Sequence, residues 1–106
     1  MNHFVDAHAE SEFAAEKMKK NNLFTTDRLF CDVYCFEPGQ EQSAHTHGGS
    51  DKIYYVIEGT ARICVGTEER EVAAGTAALA PSGIPHAVAN PGPKRLKLLV
   101  VMAPKP

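Results

Sequence analysis

Three of the five histidines stand where they can act together. His45 and His47 are separated by one residue, and on an extended strand side chains two apart share a face, about 6.6 Å from one another at the backbone. That is close enough for both imidazoles to converge on one ion. His86 follows the turn segment Pro81-Ser82-Gly83-Ile84-Pro85, which fixes the chain before another strand. Neutral imidazole is the commonest protein ligand for transition metals, so the three together offer one facial set. The spacing equally allows His45 and His47 to be solvated residues of a loop rich in Gln, Ser, Thr and Gly. His3 and His8 lie in a polar N-terminal stretch and read as solvated side chains.

Little else in the chain suggests chemistry. No nucleophile elbow, P-loop or dinucleotide-binding glycine fingerprint is present. The 106 residues carry a formal charge of −2. They show no basic stripe for a nucleic-acid backbone and no basic amphipathic helix for a membrane surface. The longest apolar run, Leu98 to Ala103, is too short to span a bilayer. The polar start lacks an apolar signal core, so the expected location is cytoplasmic. The three cysteines are an odd count. Cys31 and Cys35, four apart on an extended strand, stand about 13 Å from each other, beyond disulfide reach. With Cys64 they read as small core residues in a reducing compartment.

The elements that must position the histidines are mostly strands. Asp6 to Lys20 is the one stretch with helical spacing, with Ser11 as N-cap, Phe13, Ala14, Lys17 and Met18 on one side, and Asn21 and Asn22 at its end. Beyond Thr25, Leu29, Cys31, Val33 and Cys35 alternate with Phe30, Asp32, Tyr34 and Phe36 until Pro38 and Gly39. Ile53 to Ile57, Ala61 to Val65, Thr76 to Ala80 and Leu96 to Met102 follow, separated by Gly59, Gly66, Gly75 and Pro81. Short strands recurring about every ten residues predict an all-β sandwich or barrel. The expected division is an N-terminal, partly helical segment over residues 1–24 and a barrel over 25–106.

The two histidine segments resemble the paired motifs of the cupin superfamily. Gly39, five residues, His45-Thr46-His47, then Tyr54-Tyr55-Val56-Ile57-Glu58-Gly59 is similar to the first motif. Gly75, five residues, Pro81-Ser82-Gly83, two residues, His86, three residues and Asn90 is similar to the second. The resemblance implies a cupin-type double-stranded β-barrel, or jelly roll, whose motif histidines bind one divalent metal, completed by a Glu of the first motif. Here the chain departs from the pattern: seven residues before Gly59 stands Lys52, and Asp51 is one place out of step. Three outcomes are open. The site is a three-His site; or a bulge at Gly48-Gly49-Ser50 turns Asp51 inward; or the Lys52 ammonium keeps a dication out. Lys52 is either a pocket residue that moves a proton or anchors a substrate carboxylate, or an amine that snorkels to the mouth towards solvent or Glu58. Tyr54 shares its strand parity and is expected in the same pocket.

The resemblance carries two functional expectations and a partner. The first is a metalloenzyme of dioxygenase, isomerase or decarboxylase type acting on a small oxygenated or anionic molecule, with Fe, Mn, Ni or Zn held by His45, His47 and His86. The second is a non-catalytic ligand-binding or sensing module; a metal-free structural barrel is a third account. A homodimer is implied, and apolar positions on both faces of Leu96 to Met102 are compatible with one.

Overall fold

The computed structural model describes residues 3–106. Among them, β1 (Lys19–Thr25), β2 (Phe30–Phe36), β3 (Glu41–His45), β4 (Asp51–Glu58), β5 (Thr60–Val65), β6 (Glu68–Ala73), β7 (Ala77–Ala80), β8 (His86–Ala89) and β9 (Leu96–Ala103) form two antiparallel sheets. One sheet runs β1-β2-β9-β4-β7 and the other β3-β8-β5-β6. From β2 to β5, and again from β6 to β9, each successive strand crosses to the opposite sheet, which closes the jelly roll expected from the strand pattern.

The strict two-residue period decides which side chains fill the barrel. On β9, Leu96, Leu98, Val100 and Met102 are buried while Lys97, Leu99 and Val101 are half-buried on the outer face. On β4, Lys52, Tyr54 and Val56 turn inward and Ile53 and Tyr55 outward. Tyr34, Phe36, Ala61, Ile63 and Val88 complete the core. Each fully buried Leu or Val among them contributes about 1.5–3 kcal/mol.

The expected N-terminal helix is not formed. Asp6 to Glu10 makes a single turn, and the chain then runs irregularly to β1, so Asn21 and Asn22 lie inside a strand. Long-range partners take the backbone groups a helix would use. Asn21 Nδ2 donates to Glu12 O, and Gln40 Nε2 donates to Ala14 O at 2.7 Å. Met18 enters the core, and Phe13 lies under the Arg95 guanidinium, 4.2 Å from its ring centre. The segment crosses the outer face of β2, where Asn21 Nδ2 also meets Cys35 Sγ, and this is why both faces of β2 are covered. All three thiols are free; Cys35 is buried, whereas Cys31 and Cys64 are only half-buried, less than core placement required.

Candidate metal centre

His45 and His86 face each other as a cross-strand pair at the end of β3 and β8, where a bulge between Gln42 and His45 adjusts the register. His47 lies beyond the strand, in the loop from 46 to 50. That loop and Asp51, the first residue of β4, are fastened to the loop from 81 to 85 by three hydrogen bonds. Gly83 N donates to His47 O, Gly49 N to Ser82 Oγ at 2.7 Å, and Ser82 N to Asp51 Oδ1 at 2.9 Å. The turn residues Ser82 and Gly83 therefore set His47 against His86.

The three rings converge. Their centres are 4.8 Å apart for His45 and His47, 4.3 Å for His45 and His86, and 5.6 Å for His47 and His86. One donor nitrogen from each lies within 4.8 Å of the others. His45 Nδ1 is 2.8 Å from Ser43 O, and His86 Nδ1 is 3.0 Å from Ile84 O. A carbonyl only accepts, so both Nδ1 atoms carry a proton, and in the neutral ring that leaves Nε2 with the lone pair. Those two Nε2 atoms are buried and have no partner among the described residues. Burial lowers the basicity of His86 despite the Ile84 carbonyl, which pulls the other way, while His45 and Lys52 lower it further. Burial also lowers His47, with Lys52 and the other two imidazoles adding to the effect. Buried, partnerless imidazole nitrogens suit a divalent transition metal, so these residues fit such an ion.

Lys52 points into the barrel. It is 1% exposed, in register between Ala80 and Met102, and its Nζ lies 5.2 Å from the ring centres of both Tyr34 and Tyr54. The snorkelling alternative is thus overturned: Glu58 is exposed at the far end of β4. Burial, and after it the charge of Lys20, pushes the amine down to about 8, with Asp32 opposing both. Asp51 takes the opposite face, exposed and bonded to Ser82 N, so the alternative in which it swings inward is also corrected. Tyr54 links the two groups, its ring 6.1 Å from that of His86. Its hydroxyl is buried without a partner, as is Gln42 Oε1, a residue that nothing in the sequence marked. Gln42 lies on β3 opposite Val88, and period-two reading back from His45 fails there because of the bulge. A separate hollow of about 260 Å³ at the seam of β6 and β7, lined by Ile63, Val72 and Thr76 among others, includes neither the histidines nor Lys52.

The Cupin domain family profile matches residues 32–102, a span that holds both histidine segments. The chain belongs to the cupin family. An uncharacterized protein of Streptomyces coelicolor is 33% identical over 95 residues, covering 90% of this cupin and 89% of the relative. Among solved structures, the TT1209 protein of Thermus thermophilus is 43% identical with a TM-score of 0.96, over 99% of this chain and 100% of that one. A Klebsiella pneumoniae protein with a double-stranded beta-helix domain is 24% identical with a TM-score of 0.90, over 96% and 84% of the two chains, and shows the shared cupin fold alone.

Proposed function

We propose that this cupin is a metalloenzyme acting on a small oxygenated or anionic molecule, with His45, His47 and His86 holding one divalent transition metal. The pair of buried Nε2 lone pairs on His45 and His86 carries this reading. Bound there, Fe, Mn, Ni or Zn supplies Lewis-acid chemistry and, for iron, redox chemistry. The chain's own residues bind and orient. Three neutral ligands leave the cationic charge unneutralised, which favours an anionic or chelating molecule. Lys52 and Tyr54 line the substrate side.

One observation favours the second reading, a non-catalytic binding or sensing module. The acidic residue that follows the histidine loop, Asp51 at the start of β4, is committed to Ser82 N and faces away, and no carboxylate joins the three-His cluster among the described residues. A panel of small organic acids and carbonyl compounds, incubated with iron-, manganese-, nickel- or zinc-loaded protein in air and under nitrogen, separates the two. Product formation that disappears in His86→Ala supports the enzyme. Thermal stabilisation by a compound that no metal form converts assigns the binding module.

The proposal includes a homodimer. The uncovered part of the outer face of β4, β7 and β9 is apolar: Ile53 is 45% exposed, Tyr55 40% and Leu79 55%. Ile53 lies between Leu79 and Val101, and Tyr55 between Ala77 and Leu99. A second copy covering this face removes it from water. A cytoplasmic location belongs to the same reading, since three free thiols suit a reducing compartment. Among the described residues no helix is long and apolar enough to cross a membrane.

A further inference from the structure

We propose that Lys52 and Tyr54 form a seat for one carboxylate of the substrate, beside the histidine cluster, so that the molecule taken is a small organic acid. This rests on the proposed metal site for its other end and names the substrate class that site serves.

Lys52 is 1% exposed, yet no hydrogen bond or ion pair among the described residues reaches its Nζ. An ammonium largely withdrawn from water without a hydrogen-bonded partner is costly, and a barrel that only needed volume there would carry Met or Leu. Two aromatic faces at 5.2 Å give the cation partial relief and hold it on the barrel axis side of β4. Asp32, the acidic side chain acting on Lys52, is buried and accepts from Asn22 Nδ2 at 2.8 Å. Lys20, on the same end of the barrel and 5.3 Å from the Tyr34 ring centre, adds a second positive charge. The Tyr54 hydroxyl is a buried donor with nothing to donate to. A donor with no acceptor and a cation with no directly paired anion, on neighbouring inward positions of one strand, are both satisfied by a carboxylate: one oxygen on Nζ, the other on Tyr54 Oη. Tyr54 also packs against His86, so a molecule seated there lies next to the histidines. Gln42 Oε1, likewise buried and unpartnered, offers an acceptor for a hydroxyl of the same molecule.

The test titrates malonate, succinate and glutarate, each against its uncharged diamide, into zinc-loaded protein and into EDTA-treated protein by calorimetry. Wild type, Lys52→Met and Tyr54→Phe are compared, with zinc stoichiometry measured on all three. We expect at least one diacid to bind wild type tenfold or more tighter than its diamide, in both metal states. Lys52→Met abolishes that preference at unchanged zinc stoichiometry, and Tyr54→Phe reduces it several-fold. A preference that survives in Lys52→Met, or none in wild type, overturns the seat. Should Lys52→Met not fold, a several-fold reduction of the preference in Tyr54→Phe supports the seat and an unchanged preference overturns it. Protein that takes up no zinc but keeps a Lys52-dependent preference retains the seat and loses the metal reading. Zinc uptake without any preference does the reverse.

Discussion

At the residue scale, Lys52 is the side chain whose position in the sequence named it and whose direction only the structure gives. Family resemblance put a lysine where a ligand carboxylate is expected, but parity alone leaves Asp51 and Lys52 exchangeable, because a one-residue slip swaps their faces. The pairing of Lys52 with Met102 and Ala80, and the bond from Ser82 N to Asp51, remove that freedom. A measurable consequence follows from the buried amine. Its folded value of about 8 lies below the ordinary 10.5 that the unfolded chain retains. Between those values the unfolded chain holds more protons, so wild-type stability rises with pH there, and the full penalty is present below about pH 8. Lys52→Met carries no such proton and is expected to be more stable than wild type at neutral pH, by on the order of 3 kcal/mol. Urea denaturation from about pH 7 to pH 10 should show that advantage shrinking as pH rises. An advantage independent of pH would mean the amine is not confined as the structure has it.

Among the elements, legibility followed burial. Ile53 to Ile57, Ala61 to Val65 and Leu96 to Met102 were readable because central strands of a small barrel must be apolar or alternate, and they correspond to β4, β5 and β9. β6 was missed because Glu68, Glu69, Arg70 and Glu71 are exposed on an edge strand, which needs no apolar face. The segment before β1 was misread because helical spacing in Phe13, Ala14, Lys17 and Met18 is a local signal, overruled by Gln40, just before β3, and Asn21, on β1, which take its carbonyls. The turn between β4 and β5 was legible as a glycine, though not for its reason. Gly59 has φ +88°, and a Cβ there would lie 2.3 Å from Arg95 O. Gly59→Ala is therefore expected to destabilise the barrel by about 2 kcal/mol or more, read from a shifted urea midpoint at unchanged slope. A midpoint within error of wild type would show that the loop before β9 yields freely.

For the molecule as a whole, the barrel separates an inward residue cluster from an outward apolar surface. The inner faces and the loop after β3 bring His45, His47, His86, Lys52 and Tyr54 towards one end of the barrel, and the outer face of β4, β7 and β9 is left apolar. The doubly apolar character of Leu96 to Met102 made this surface legible, whereas its limit did not show, because the N-terminal segment that covers β2 was expected to be helical. Ile53→Lys combined with Leu79→Glu is expected to convert a dimer to a monomer in sedimentation velocity without loss of fold; a wild-type monomer would remove the interface. The central claim is the metal centre, and elemental analysis of tag-free protein tests it most directly. About one divalent metal ion per chain in wild type, lost in an identically prepared His86→Ala variant, is the expected result. A ratio near zero that stays low after incubation with iron, manganese, nickel and zinc would contradict the account, and the buried charge of Lys52 would be the physical reason.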